Sequence, residues 1–370
     1  MSTPRTLRPY QAEAVDAVTS YWAVEGRERY TPVVVLPTGT GKSTVIAKLA
    51  VDAHYAGLRV LMLAHRRELL DQMAASVNAV APHLTRVGIV QGERNSPTAD
   101  IVAASFQTLT ANPARLAALG RREVVLVDEM HHSAAETYKG VLDALDVTEH
   151  NPNNPVFACG FTATASRADG GLDGIWDSVV YEKSLSWAIK KGYLVTPRGL
   201  TVVLPDMDLT EVTVRAGDYA AGELEHVMQA SVDTTVMAML THAAGRASIV
   251  FAAGVDHAEA LAAALSAHGV AAAAVTGAMS AEARGEVYEA FNGGELDAMV
   301  TVQVLTEGAD FPRCDAVVMA RPTRSQTLYS QMVGRALRLY PGKDDALVLD
   351  LAGVTRDMSL VTLSDLTTEA

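Results

Sequence analysis

Short runs of Val, Ile, Leu and Ala recur along this chain, and most are followed by a stretch long enough for a helix. Residues 33–37, 59–65, 101–105, 124–129 and 156–163 are such runs, each bounded by polar or turn-forming residues. Nearly unbroken apolarity over so few residues predicts strands buried on both faces. Residues 43–54 and 67–79 between them have a helical pattern. Strand–helix alternation of this kind predicts an α/β fold with mainly parallel sheets flanked by helices. The alternation breaks over 199–235 and then resumes. Strands are expected at 248–253, 272–276, 298–305, 315–320 and 345–351, and helices at 256–268, 280–292 and 325–339. A length of 370 residues suits two domains. The expected organisation is therefore residues 1–198, an acidic connector over 199–235, and residues 236–370. A short hairpin is expected in the connector, around 200–204 and 211–215.

Composition matters here mainly for what it excludes. Hydrophobic residues are 49% and charged residues 20% of the chain, as in a globular protein and unlike a disordered one. The two cysteines, Cys159 and Cys314, are far apart in apolar surroundings. That argues against a disulfide framework or a zinc cluster and for two buried thiols. No run of about 18 apolar residues is present, so no membrane-spanning helix is expected. The first ten residues, MSTPRTLRPY, lack the apolar segment of a signal peptide. A cytoplasmic location is expected. The net charge of −13 at first opposes a nucleic-acid partner, which usually meets a basic surface. The acids, however, are unevenly spread. Asp206, Asp208, Glu211, Asp218, Glu223, Glu225 and Asp233 crowd the connector, whereas 316–343 holds Arg321, Arg324, Arg335, Arg338 and Lys343 without an acid. Screening over about 10 Å at physiological salt limits how far the remote acids are felt. This charge pattern implies a grip on few phosphates.

One loop carries the chemistry. Pro37, Thr38, Gly39, Thr40, Gly41, Lys42, Ser43 and Thr44 follow an expected strand and open an expected helix. The glycines let backbone N–H groups curl toward an anion, and the helix N-terminus adds partial positive charge. Lys42 reaches the β- and γ-phosphates of a nucleotide in this pattern, and the Ser43 hydroxyl is a Mg²⁺ ligand. The general pattern has glycine where this chain has Leu36. Further along, the apolar run 124–127 ends in Asp128, Glu129, Met130 and His131. A carboxylate at the end of such a strand suits Mg²⁺, which makes Asp128 a metal ligand candidate. Glu129 is a candidate to orient and deprotonate an attacking water.

In order and spacing, these residues resemble motifs I, II and III of superfamily 2 helicases: PTGTGKS, then DEMH, then Gly160, Phe161, Thr162, Ala163 and Thr164. Leu7 to Gln11 resembles the N-terminal glutamine motif, residues 63–72 motif Ia, and residues 105–109 motif Ib. Val250 and Phe251, with Thr276 and Gly277, resemble the motif IV region, residues 301–312 motif V, and residues 331–338 motif VI. The similarity runs over residues 7–338. It is greatest to DEAH-type DNA helicases allied to RadD and XPB, through TATASRADGGL, IKKGYL and RPTRSQTLYSQMVGRALR. Two departures stand out. Ala165 and Ser166 stand where many relatives carry proline after Thr-Ala-Thr, and the chain lacks a cysteine-rich C-terminal part. A minimal core, as in some phage-encoded helicases, is the expectation.

The resemblance implies two tandem RecA-like domains with an ATP cleft between them. It assigns Gln11 to the adenine edge, and Gly308 and Asp310 to the ribose. It gives Arg335 and Arg338 the charge developing on the γ-phosphate, with Gln331 beside it. Spaced three apart on the expected helix, those two arginines would share a face. Arg66, Thr108, Thr276, Arg321 and Thr323 are candidates for strand phosphates. His131, Thr162 and Thr164 are candidates for coupling between the domains. The implied activity is that of an ATP-dependent DNA helicase or translocase in replication, recombination or repair. It would use ATP and Mg²⁺, act as a monomeric core and have unidentified replication or repair partners. An RNA helicase, a DNA-stimulated ATPase without strand separation, and a nucleotide-gated binding module remain alternatives.

Overall fold

A computed structural model describes residues 4–26, 29–65, 67–84, 87–130, 136–148, 151, 155–163, 174–204, 209, 212–215, 218–302 and 310–353. The chain divides into two compact units. One comprises Met1–Pro37 and Gly41–Ser184, the other Thr38–Thr40 and Leu185–Ala370.

The first unit runs α1 (Pro9–Trp22), β1 (Val33–Val35), α2 (Lys42–Tyr55), β2 (Val60–Ala64), α3 (Arg67–Val80), β3 (Gly88–Gln91), β4 (Arg94–Asn95) and β5 (Ile101–Ser105). It continues with α4 (Phe106–Ala111), α5 (Pro113–Ala118), β6 (Val124–Asp128), α6 (Glu136–Ala144), β7 (Phe157–Thr162) and β8 (Val179–Glu182). Its eight strands form one sheet in the order β4-β3-β5-β2-β6-β7-β1-β8. All pairings are parallel except that of β3 with β4. The five strands expected from the apolar runs are all present. Strands β2, β5 and β6 are buried along their whole length, as helices on both faces require. A buried arginine stitches this sheet at the strand starts. Arg122 donates to the carbonyls of Leu119 at 3.1 Å, Ala99 at 2.7 Å and Asp100 at 3.3 Å, and also to that of Pro97. Burial, reinforced by neighbouring Arg59, lowers its pKa to about 10, so it remains charged near neutrality.

The second unit runs α7 (Leu185–Lys190), β9 (Thr196–Leu204), β10 (Val214–Arg215), β11 (Asp218–Tyr219), α8 (Ala221–Met228), α9 (Val232–His242) and β12 (Ser248–Ala252). It continues with α10 (Val255–Ala267), β13 (Ala272–Val275), α11 (Ala281–Gly293), β14 (Ala298–Val302), β15 (Ala316–Ala320), α12 (Gln326–Ala336) and β16 (Asp345–Gly353). Six strands form a sheet in the order β13-β14-β12-β15-β16-β9, parallel throughout.

The connector expected over 199–235 is corrected here. Residues 200–204 are not paired as a hairpin with the described residues 212–215. They belong to β9, which pairs with β16 from Thr196 opposite Asp345 to Leu204 opposite Gly353. The hairpin is instead β10 with β11. Leu209, Val212, Tyr219, Leu224 and Met228 pack in the same core as Val250, Val300 and Val318. Fully burying such a side chain contributes about 1.5–3 kcal/mol. The region therefore belongs to the second unit, and the division falls after Ser184 rather than at 198. Two of its acids, Glu223 and Glu225, have structural partners here. Glu223 accepts from the Thr213 N–H at 2.7 Å, and Glu225 accepts from the His257 N–H at 3.2 Å in the first turn of α10. Both cysteines are free and buried, and burial raises their thiol pKa values, that of Cys314 to about 12. Among the described residues, no helix is long and apolar enough to cross a membrane.

Candidate functional site

The glycine-rich loop is the turn from β1 into α2. Thr38, Gly39, Thr40 and Gly41 lie in the turn, and Lys42, Ser43 and Thr44 open the helix. Gly41 adopts a left-handed conformation, φ +86°, and its carbonyl accepts from the Thr44 N–H at 3.0 Å. That φ favours glycine, and a Cβ at Gly41 would stand 2.6 Å from Gln11 Nε2, so the Gln11 amide would have to shift. Gly41 is the N-cap of α2 and, having no side chain, makes no side-chain cap there. The departure at Leu36 also has a structural reason. That residue is fully buried and its N–H donates to the Thr162 carbonyl at 3.0 Å, so it completes the sheet before the turn begins.

Gln11 is brought to this loop by α1. Its Oε1 accepts from the Arg8 N–H at 2.9 Å, capping the helix, while its Nε2 faces Gly41. Asp128 and Glu129 come from the end of β6. Both are buried. Lys42 Nζ pairs with Glu129 Oε1 at 2.9 Å, with both side chains about nine-tenths buried. Asp128 Oδ1 accepts from the Glu129 N–H at 3.0 Å. Glu129 itself has φ +50°, a left-handed conformation uncommon for a residue with a Cβ and found disproportionately at functional sites.

What holds that turn was not visible in the sequence. Met130 is buried against Gly160 of β7, where a Cβ would lie 3.0 Å from Met130 Cβ and Cγ and 3.2 Å from Trp176 Cδ2. The missing side chain at 160 seats Met130, and Met130 fixes the direction of the turn at Glu129. The one available signal was glycine inside an otherwise apolar strand, which marks a close approach. Gly160→Ala should therefore cost about 1–3 kcal/mol by overpacking. It should also lower turnover by moving the Glu129 carboxylate. A denaturation midpoint and a turnover rate both equal to the parent's would contradict this packing account.

In the second unit, Gln331 and Arg335 lie one turn apart on α12, both buried. Arg338 departs from expectation. The helix ends at Ala336 with its cap at Leu337, so Arg338 lies beyond it and shares no helical face with Arg335. The Leu337 carbonyl accepts from the Val195 N–H at 2.9 Å, and Arg338 forms an ion pair with Asp310. Burial lowers the pKa of Arg338 to about 10. Asp310 is thus placed beside a cation, and its carbonyl accepts from Asn292 Nδ2 at 3.1 Å.

Of the expected strand-binding residues, Thr108 lies in the first unit and Thr276, Arg321 and Thr323 in the second. Thr108, on α4, accepts a hydrogen bond from the Ser105 hydroxyl at 2.8 Å and gives its N–H to the same oxygen at 3.2 Å. Thr276 is buried, with its carbonyl accepting from the Met279 N–H at 3.3 Å. Thr323 is buried and its hydroxyl accepts from the Ser325 N–H at 3.1 Å. Arg321 is paired with Asp218 at 2.9 Å. Thr162 is buried at the end of β7. Arg66, His131, Thr164 and Gly308 lie outside the described residues.

A nucleotide suits the residues around Gly41 and Lys42. The loop is a cradle that a Cβ would fill, with one cation and two carboxylates at its side. Among the described residues no cluster of three or more His, Cys, Asp or Glu is placed to hold a metal.

Comparison with known proteins agrees in kind. Residues 5–167 match the family described as Type III restriction enzyme, res subunit, and residues 225–340 match the helicase conserved C-terminal domain. A Saccharomyces cerevisiae protein named as an ATP-dependent helicase, IRC3, is 29% identical over 94% of this chain and 52% of its own length. Its Schizosaccharomyces pombe namesake, named as mitochondrial, is 31% identical over 96% and 58%. A Kineococcus radiotolerans protein named DNA 3'-5' helicase XPB is 24% identical over 90% and 57%. The chain therefore spans about half the length of these relatives. Among solved structures, a fragment of an HsdR subunit of a type I restriction enzyme from Vibrio vulnificus has a TM-score of 0.73 at 23% identity. That match covers 99% of this chain and 67% of the other. The type ISP restriction-modification enzyme LlaBIII, bound to DNA, gives 0.70 at 16% over 96% and 28%.

Proposed function

We propose that this chain, which matches the restriction-enzyme res-subunit and helicase C-terminal families, is a superfamily 2 helicase, an ATP-dependent motor that translocates on or remodels DNA. The observation that carries this reading is the buried pair of Lys42 and Glu129, 2.9 Å apart beside the Gly41 turn. A phosphate entering the loop meets N–H groups at the α2 N-terminus and draws Lys42 toward its own charge. The carboxylate of Glu129 is then freed from its cation and accepts a proton from the attacking water. Asp128 and Ser43 are the residues proposed to hold Mg²⁺, which would supply neutralisation of phosphate charge. Gln11 is proposed to contact the adenine. Thr38, Gly39 and Thr40 complete the loop, and Thr44 closes the first turn of α2. In the second unit Arg335 and Arg338 are proposed to act on γ-phosphate charge, with Gln331 near the attacking water and Asp310 near the ribose. DNA is favoured over RNA by the similarity to the XPB-named relative. A cytoplasmic location is part of the same proposal.

The test is phosphate release by the purified chain, alone and with single-stranded DNA, duplex DNA or RNA. Stimulation by DNA is expected. No stimulation by any of them would overturn the motor reading, and stimulation by RNA alone would replace DNA with RNA.

A further inference from the structure

The turn between β15 and α12 is held from a distant part of the chain. Asp218 Oδ2 accepts from Arg321 Nη2 at 2.9 Å, and its Oδ1 accepts from the Arg324 N–H at 3.0 Å. One carboxylate thereby grips both ends of residues 321–324. The grip continues into the helix. The Thr323 hydroxyl accepts from the Ser325 N–H at 3.1 Å, and the Ser325 hydroxyl caps α12 by accepting from the Leu328 N–H at 3.3 Å. The carboxylate is firmly based. Its neighbour Tyr219 is buried in the second unit's core, and alternate residues of a strand face opposite ways, so anchoring Tyr219 directs Asp218 away from that core. The Ala220 N–H donates to the Thr213 carbonyl at 2.8 Å and closes the hairpin. Both partners of the ion pair are mostly buried, Asp218 18% and Arg321 12% exposed in their side chains. A charge-assisted contact so placed fixes geometry and is costly to break from one side.

We infer that Asp218 is a positioning residue for the motor, acting through Arg321 and Arg324 to hold the start of α12 and so to place Gln331 and Arg335. Arg321 is then a structural partner rather than a strand contact. The hydrogen bonds themselves do not depend on the proposed function, but the consequence for turnover rests on it.

The experiment uses the full chain with Asp218→Ala, Asp218→Asn and Arg321→Ala, followed by amide hydrogen exchange and DNA-stimulated phosphate release. Asp218→Ala should speed exchange over residues 324–330 by about tenfold, the loss of a hydrogen bond to charge, while leaving β12 and β14 protected. Its kcat should fall by about tenfold with KM for ATP and the half-saturating DNA concentration unchanged, as expected when γ-phosphate groups are misplaced only in the transition state. Asp218→Asn keeps one acceptor oxygen but puts an NH2 donor where the other stood and removes the charge, so it should recover only part of the loss. Arg321→Ala should resemble Asp218→Ala, and the double variant should be no worse than either single one. Unchanged exchange in Asp218→Ala and Asp218→Asn would overturn the proposal. So would Asp218→Ala tightening DNA with kcat intact, because Asp218 would then be competing with a strand for Arg321. A parent chain with no DNA-stimulated turnover would instead defeat the motor reading, leaving the exchange measurement to decide on Asp218.

Discussion

Lys42→Ala is expected to abolish measurable turnover and to weaken ATP binding. Two effects combine. The ammonium is the cation of the loop, so its loss removes charge neutralisation from the phosphates as negative charge shifts during transfer. A loss on the order of 10³-fold in kcat corresponds to about 4 kcal/mol of transition-state stabilisation. The second effect lies in the structure without nucleotide. Glu129 has Lys42 2.9 Å away, in a place where both are largely shielded from water. With alanine at 42, the Glu129 carboxylate no longer faces that ammonium, and an ATP phosphate entering the loop meets its negative charge without Lys42 between them. Binding therefore suffers as well as chemistry. Nucleotide titration and phosphate release on the same preparation separate the two, with circular dichroism as a check on folding. ATP affinity equal to the parent's would show that Lys42 does not face the phosphates.

The sheets of both units were legible because parallel strands covered on two faces must be almost wholly apolar. Residues 60–64, 101–105 and 124–128 can hardly be anything else, and they form adjacent strands. The edge strand β4 and its neighbour β3 were missed, being two and four residues long with only partial burial and so no unbroken apolar run. The phosphate loop was legible for a different reason: its chemistry is local in sequence. The geometry of Glu129 was not, because a left-handed turn in a residue with a Cβ is imposed by a contact thirty residues away, Met130 on Gly160. Arg338 was misplaced on α12 because helical pattern alone does not show where a cap will fall.

Charge was the least reliable guide. The basic stretch 316–343 looked like a surface for phosphates because it lacks acids in sequence. In the fold the acids come to it. Asp218, from the supposed connector, pairs with Arg321, and Asp310 pairs with Arg338. Segregation along the chain is thus partly undone by packing. The acid-rich segment read as a linker is second-unit structure, with Glu225 at the start of α10 and Asp218 at the entrance to α12. A linear charge map could locate these groups but could not pair them.

Glu129→Gln should give the opposite binding signature from Lys42→Ala, and so distinguish the two halves of the same ion pair. Glutamine has nearly the shape of glutamate and should keep the turn at 129, which Met130 and Gly160 hold independently of side-chain charge. It is not a useful base for water, so kcat should fall by about 10²–10⁴-fold, the usual worth of general base catalysis. Yet ATP should bind at least as tightly as to the parent. The neutral amide attracts Lys42 less strongly than the carboxylate does at 2.9 Å, leaving the ammonium more available to phosphate. The variant should therefore collect in an ATP-bound state, seen as retained nucleotide after rapid filtration and as a single-turnover rate no faster than the steady state. Asp128 is unchanged, so retention should still depend on Mg²⁺. A Glu129→Gln chain that hydrolyses ATP at the parent's rate would remove Glu129 from the role of base. One that binds ATP as poorly as Lys42→Ala would show that the carboxylate, rather than competing with phosphate for Lys42, holds that lysine in its working position.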